Sequence, residues 1–325
     1  MKDFKGKVAF ITGGASGAGF GQAKVFSEAG MKVVIADIRQ DHIDQAMAYF
    51  KAKNAQVHAI KLDITDRKAY ARAADETEKV FGSPPQLLIN TAGVNAFGPV
   101  EASTFEDFDW ILGVDLMGVI NGCVTFVPRM IKAGRGGHIT AVSSMSGLMA
   151  GPTVAPYGTA KAGVIHLMEC YYLGLKPYGI GVSCLCPGGI KTNIAEASYT
   201  RPKALEATGY NTSEKTIEFM RHHYSFGIDP VELAQILKKG IEDEILLVLP
   251  FPEPERFMKE HLERMVNYCT REGMKRQAEI EVKNQQQRRE HPMPGLEGAY
   301  EAGWGNARED LTWVKKSDRF QPKKK

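Results

Sequence analysis

Cysteine is scarce in this 325-residue chain, and its five residues, Cys123, Cys170, Cys184, Cys186 and Cys269, fall at no paired spacing. An odd set with neither CxxC repeats nor histidines at ligand distance excludes a disulfide scaffold and offers no zinc site, so no metal is expected. Reduced thiols in a cytoplasmic protein follow. Cys184 and Cys186 lie two apart in an apolar run and are expected to pack on one face of a strand. An excess of one charge is missing as well: 41 Lys and Arg against 38 Asp and Glu leave +3. That balance gives no electrostatic basis for a nucleic-acid or membrane partner, and the basic run Lys323 to Lys325 reads as a solvated tail. No window of about 18 apolar residues is read in the chain, so no membrane span is expected. The apolar stretch inside MKDFKGKVAFITGG runs straight into glycines and is too short for the core of a secretory signal.

From Lys7 to about Pro187, short β-branched runs alternate with longer amphipathic segments. The strand candidates are Val8 to Thr12, Lys32 to Asp37, Gln56 to Leu62, Leu87 to Thr91, Gly137 to Ser143 and Gly181 to Cys186, with a last one at Ile245 to Pro250. Their near-continuous apolar character suits strands buried on both faces. Helices are expected at Gln22 to Ala29, Asp41 to Lys51, Arg67 to Phe81, Asp107 to Ala133, Tyr157 to Tyr178 and Pro230 to Glu242. The pattern is α/β, a doubly wound parallel sheet of Rossmann type, occupying residues 1–252. Residues 193–229 lack a buried-strand pattern and read as a helical loop over the substrate. Residues 253–325 read as a polar helical extension and tail.

After the first strand comes Thr12-Gly13-Gly14-Ala15-Ser16-Gly17-Ala18-Gly19 and then a helix. Glycine is needed there because the backbone must turn tightly and approach a pyrophosphate with no Cβ in the way, while the helix N-terminus offers free N–H groups. A glycine cluster alone is often a mere turn; its place between strand and helix makes it specific. Gly13, Ser16, Gly17, Ala18 and Gly19 are therefore cofactor candidates. The second strand ends in Ala36-Asp37-Ile38-Arg39, with Asp37 18 residues beyond Gly19, where a carboxylate accepts both adenosine ribose hydroxyls and repels a 2′-phosphate. NAD is expected over NADP, although Arg39 softens that preference. Asp63 and Ile64, ending the third strand, suit the adenine edge. Asn90, Ala92 and Gly93, after the fourth, put small residues where backbone passes close to ribose.

Tyr157 and Lys161 lie four apart at the start of a helix and share one face, and Ser144 ends a strand 13 residues before Tyr157. A phenol with an ordinary pKa of about 10, lowered by a nearby ammonium, can act as acid or base near neutrality. A serine hydroxyl can hold the substrate oxygen. A lone Tyr and Lys at this spacing are usually surface residues; behind a dinucleotide turn and a matching Ser they are much more telling.

The series TGGASGAG, NTAG, SS followed by YGTAK, and PGGIKT resembles the successive motifs of the short-chain dehydrogenase/reductase family from about Asp3 to Pro250. The resemblance implies that Ser144 binds the substrate oxygen, Tyr157 transfers its proton, and Lys161 binds nicotinamide ribose and depresses the tyrosine pKa. It also implies that Pro187, Gly188, Ile190 and Thr192 hold the nicotinamide carboxamide. Where the family usually has Asn, this chain reads Gly113-Val114-Asp115-Leu116-Met117-Gly118. Asp115 keeps the main-chain carbonyl that serves a proton relay, and its carboxylate can pair with Lys161 or be raised by burial. Activity is expected to survive with an altered pH profile. Within the family, DFDWILGV, INGCVTFVPRMI and GIKTNIAEAS are similar to bacterial Cα-dehydrogenases that oxidise the benzylic alcohol of lignin-derived β-aryl ethers.

These readings predict an oxidoreductase that interconverts a secondary alcohol and a ketone on a small, ring-bearing substrate. Tyr199, Tyr210, Phe219, Met220, His222, His223, Tyr224 and Phe226 in the loop, with Met145, Leu148 and Met149 near Ser144, are the candidate pocket walls. Most single members of that set could equally pack the loop onto the body. A homodimer or homotetramer is expected through the two longest helices. The second reading is a nucleotide-binding sensor or scaffold without turnover, motivated by Asp115 and by the long tail. In that tail Tyr300, Trp304, Trp313 and Phe320 are expected to dock on the body or on a neighbouring subunit.

Overall fold

The computed structural model describes residues 1–210, 213–251 and 254–267, with isolated positions between 276 and 290. The expectations for Cys269 and for the tail aromatics Tyr300, Trp304, Trp313 and Phe320 lie outside the described residues.

Seven strands form one parallel sheet in the order β3-β2-β1-β4-β5-β6-β7. They are β1 Val8–Thr12, β2 Lys32–Asp37, β3 Val57–Lys61, β4 Leu87–Asn90, β5 Gly137–Val142, β6 Ile180–Leu185 and β7 Leu247–Val248. β1, β4 and β5 are almost wholly buried, as their unbroken apolar runs require, because helices cover both faces. The chain reverses direction across the sheet between β1 and β4, and the crevice at the carboxyl ends of those strands is where such folds place ligands.

On one face lie α1 Gly17–Glu28, α2 Gln40–Ala52 and, later, α8 Pro230–Glu242; on the other lie α3 Arg67–Phe81, α4 Phe105–Leu112, α5 Gly118–Ala133 and α6 Ala155–Leu175. The helix α1 begins five residues before the expected start at Gln22, because the glycine turn feeds straight into it. The expected single helix from Asp107 is α4 and α5 joined by one π-turn, Gly113–Met117, so that one continuous stretch runs from Phe105 to Ala133. Thr104 caps its start, with Asp107 closing the reciprocal capping bond. By length and composition this stretch is apolar enough to cross a membrane, which corrects the sequence expectation, but it packs as a core helix with Trp110, Val119, Cys123 and Phe126 buried. The polar positions Asp115 and Asn121 interrupt the run in sequence and hid it.

Between β6 and α8 the loop carries two 3₁₀ segments, Ile194–Thr200 and Lys203–Leu205, and the helix α7 Glu214–Tyr224. Its two ends meet in a bridge between Ile190 and Ile228. Beyond β7, α9 Pro254–Asn267 is polar, with the i,i+4 pairs Lys259–Glu255 and Arg256–Glu260. Cys184 and Cys186 are both fully buried in the same cluster, as their spacing predicts.

Candidate active site

One cavity of about 580 Å³ opens at the carboxyl ends of the central strands. Gly13, Ser16, Gly17, Ala18 and Gly19 line it from the first turn; Asp37, Arg39, Asp63 and Ile64 from the next two strand ends; Ala92, Gly93 and Asp115 from the middle. Ser144, Tyr157, Lys161, Pro187, Gly188, Ile190 and Thr192 close the far side. Asn90 does not reach it. Its side-chain amide is turned into the core, donating to the Thr140 carbonyl at 3.3 Å and accepting from the Tyr70 hydroxyl at 3.4 Å, so the side chain ties β4 to β5.

The first turn fits a dinucleotide. A Cβ on Gly19 would stand 2.1 Å from the Gly13 carbonyl oxygen, so only glycine lets the turn fold onto itself. Ser16 sits at the N-cap of α1 but makes no capping bond with its side chain, which leaves the first N–H groups of the helix facing the cleft. Asp37, 8% exposed, accepts from the Ala15 N–H at 3.2 Å and the Arg39 N–H at 3.1 Å, which fixes its carboxylate at the rim of the adenosine side. The Arg39 guanidinium is engaged elsewhere: its Nε donates to Asp41 at 3.1 Å and it pairs with Glu196 at 3.6 Å.

At the other end β5 delivers Ser144 and the first turns of α6 deliver Tyr157 and Lys161. Lys161 Nζ donates to the Val142 carbonyl at 3.1 Å, lies 3.0 Å from Asp115 Oδ2, and stands 5.4 Å from the centre of the Tyr157 ring. Asp115, in the π-turn, is fully buried; its Oδ1 accepts the Val94 N–H at 2.7 Å. π-turns inside helices are frequent at functional sites, and this one swings the Asp115 side chain toward Lys161. Burial pushes the Asp115 carboxyl above its ordinary range, against the pull of Lys161 and the Val94 N–H. For Lys161 burial pulls downward, but the Asp115 charge and Tyr157 outweigh it and hold the ammonium. The expected lowering of Tyr157 is overturned. Burial raises the phenol, Lys161 and the Ser144 hydrogen bond pull it back, Asp115 pushes it up again, and the result stays above the ordinary value.

The substrate end differs from the expected wall. Met145, His223 and Tyr224 line the cavity, whereas Leu148 joins the core and Tyr210 is buried with its hydroxyl 2.6 Å from Ser103. Tyr199, Phe219 and Phe226 are exposed, and His222 packs its ring on Phe226. Other wall residues, which sequence reasoning passed over as walls, include Asn95, Phe97 and Trp110, with Ile194, Ala197 and Leu205 of the loop. Phe97 meets the Tyr157 ring edge-on at 5.7 Å, and Asn95 Nδ2 lies 3.4 Å from the Tyr224 hydroxyl. Their one sequence signal was position, in the connection directly after NTAG. Arg201 locks the loop above them: it pairs with the fully buried Asp107 at 2.7 Å, lies over the Trp110 ring at 5.0 Å, and donates to the carbonyls of Leu205 and Ala207.

A nucleotide cradle beside a polar Ser, Tyr and Lys cluster defines a dinucleotide-dependent oxidoreductase. Residues 7–203 match the short chain dehydrogenase family, and the chain belongs to it. It is similar to the C alpha-dehydrogenase of Sphingobium sp. SYK-6, 54% identical over 82% of this chain and 88% of that protein. Among solved structures, the apo form of LigD from the same strain is 48% identical, with a TM-score of 0.70 over 82% of this chain and 99% of that one. The apo form of LigO is 43% identical, with a TM-score of 0.72 over 90% and 100%. A short-chain dehydrogenase from Burkholderia phymatum, solved in complex with NAD, is 30% identical, with a TM-score of 0.77 over 82% and 97%. The protein is thus an oxidoreductase of the short-chain type, using a nicotinamide dinucleotide on a small-molecule alcohol or ketone.

Proposed function

We propose that the protein is an NAD-dependent Cα-dehydrogenase, oxidising a secondary alcohol on the carbon next to an aromatic ring to the ketone. The observation that carries this reading is the convergence of Ser144, Tyr157 and Lys161 on one cavity whose substrate end is walled by Phe97, Trp110 and Tyr224. When bound, the nicotinamide supplies the chemistry of hydride acceptance. Ser144 holds the carbinol oxygen, and Tyr157 takes its proton as general base. Lys161 secures the nicotinamide ribose and favours the tyrosinate. The aromatic walls stack the ring and exclude water from the reacting carbon. NAD is preferred because Asp37 accepts from ribose hydroxyls and repels a 2′-phosphate, while Arg39, held by Asp41 and Glu196, is not free to offset it.

Because the Tyr157 phenol lies above its ordinary value, its basic form grows as pH rises, so alcohol oxidation increases into the alkaline range and ketone reduction is favoured at lower pH. Residues 1–252 act as the catalytic domain in this reading, with 253–325 an extension to it. The protein pairs through α5 and α6, where Val124 is exposed and Leu167, Tyr171 and Tyr172 are half-buried, giving a homodimer or homotetramer. A monomer in sedimentation at micromolar concentration contradicts that pairing. For the activity, purified protein is mixed with NAD and a panel of 1-arylalkanols, and absorbance is followed at the NADH band. NADH formation with aryl secondary alcohols is expected; nucleotide binding with no turnover on any of them would sink the reading and leave a nucleotide sensor.

A further inference from the structure

Asp115 is built into surroundings that need an acceptor on both of its oxygens. Oδ1 takes the Val94 N–H at 2.7 Å; Oδ2 makes no hydrogen bond and has Lys161 Nζ at 3.0 Å as its ion-pair contact. An asparagine that kept the Val94 bond would turn its NH₂, a donor, onto the Lys161 ammonium, another donor. The first oxygen's task is open to either residue; the second requires a carboxylate. The pair is sealed against Gly93, where a Cβ would come within 3.3 Å of both Oδ2 and Nζ. Few titratable groups face it: Lys161 and Tyr157 from α6, and Cys184 from β6 beyond the lysine. α4 contributes Asp109 at the exposed rim of the cavity, and β5 the Val142 carbonyl.

We propose that Asp115 is the proton store of the site, receiving through Lys161 the proton that Tyr157 removes from the alcohol and returning it in the reverse direction. The inference rests on the dehydrogenase reading above. In alcohol oxidation the O–H bond breaks and its proton goes to the Tyr157 oxygen, while the electron pair of the carbinol C–H bond leaves with its hydrogen to the nicotinamide. Lys161 passes one N–H proton to Asp115 Oδ2, 3.0 Å away, and regains one from Tyr157. The tyrosinate is restored and the carboxylate becomes a carboxylic acid. Total charge is then the same before and after: the positive charge lost from the nicotinamide is matched by the negative charge lost from Asp115. In a buried, weakly polarisable site, release of the proton to solvent would instead leave an uncompensated negative charge.

The store is tested without any alcohol. Protein is titrated with NAD and, separately, with NADH in weakly buffered solution containing a pH indicator, and the infrared difference spectrum between the two complexes is recorded. Wild type is expected to take up about one proton more with NADH than with NAD near neutral pH, by linkage of protonation to cofactor charge. A carboxylic-acid band that shifts in D₂O should accompany it. Both signals vanish in Asp115→Asn and Asp115→Ala, each measured at nucleotide concentrations that NADH fluorescence shows to be saturating for that variant. Equal proton uptake for the two nucleotides in wild type overturns the inference whatever the variants do, and so does an acid band that survives in either variant. Failure of every aryl alcohol to reduce NAD instead overturns the dehydrogenase reading and with it the catalytic use of the store, leaving the nucleotide-linked protonation to stand or fall on the titration.

Discussion

The two ends of the cleft are built from different materials. The nucleotide end is largely main chain and small residues: the turn at Gly13 to Gly19, the N-terminus of α1, and Gly93, with Asp37, Arg39 and Asp63 as charged side chains at its rim. The substrate end is side chains: Phe97, Trp110 and Tyr224 as walls, under a loop pinned by Arg201 on Asp107 and by the Tyr210 hydroxyl on Ser103. Backbone geometry tolerates little substitution, which suits a ligand that never changes. A wall held by separate side-chain contacts can be rebuilt one residue at a time, which suits a fold that serves many alcohols. Tyr157 and Lys161 stand where the two ends meet.

The largest expected effect breaks the chemistry and spares both ends. Replacing Tyr157 with Phe keeps the ring against Phe97 and removes the proton acceptor, so kcat/KM should fall about 10²- to 10⁴-fold with the Kd for NAD nearly unchanged. Steady-state kinetics beside a nucleotide titration checks it; a variant holding a tenth of the wild-type rate would point to another base.

Next comes a change confined to the substrate end. Arg201→Ala leaves Asp107 buried without its cation, at a cost of about 3–5 kcal/mol, and frees the loop from α4. Thermal unfolding should show the lost stability, with a raised KM for aryl alcohols and an unchanged Kd for NAD. The pair also sets a pH dependence. Burial pushes the Asp107 carboxyl up, but the Thr104 N–H and Arg201 outweigh it and hold it below the ordinary aspartate value. Its stabilisation is therefore full above the unfolded-state pKa of Asp and is lost as pH falls through the lower folded value, a loss the variant should largely lack.

A smaller effect is confined to the nucleotide end. Asp37→Ser should narrow the preference for NAD over NADP by about 1–3 kcal/mol in kcat/KM, since charge-assisted bonds to ribose and repulsion of the phosphate go together. NADP matching or exceeding NAD in wild type would overturn the assignment. The smallest effect tests an ion-pair link between the ends. Glu196, in the loop, reaches Arg39 at 3.6 Å and Arg221 at 3.2 Å, all partly exposed. Glu196→Gln should change stability by less than about 1 kcal/mol and be masked by added salt.

The same contrast explains what the sequence made legible. Strand spacing, the glycine turn, Asp37 and the Ser144, Tyr157, Lys161 set follow from local pattern, and the doubly wound parallel sheet followed from them. Arg201 and Asp107 are 94 residues apart and belong to no motif, so their pairing is a product of the fold. Phe97 and Trp110 have no helical or strand period that marks them as walls, and of the loop aromatics that looked like walls His223 and Tyr224 line the cavity while Tyr199, Phe219 and Phe226 face solvent and Tyr210 is buried against the body. The Tyr157 shift was misread because a lysine four residues away is visible in sequence, while the burial that outweighs it is not. The direction of the Asn90 side chain was not legible, because a motif gives position along the chain and not where a side chain points.

The central claim is that the Tyr157 site is catalytic and that its substrate end accepts an aryl carbinol. The most direct measurement is NAD-coupled turnover of matched pairs of secondary alcohols, identical except that the carbinol carbon bears a phenyl ring or a compact alkyl group, for wild type and Tyr157→Phe side by side. The account predicts NADH formation by wild type with a higher kcat/KM for the aryl member of each pair, and almost none by the variant although it binds NAD as tightly. Equal rates for aryl and alkyl members would contradict the reading of the walls, and equal rates for the two proteins would contradict the reading of the site.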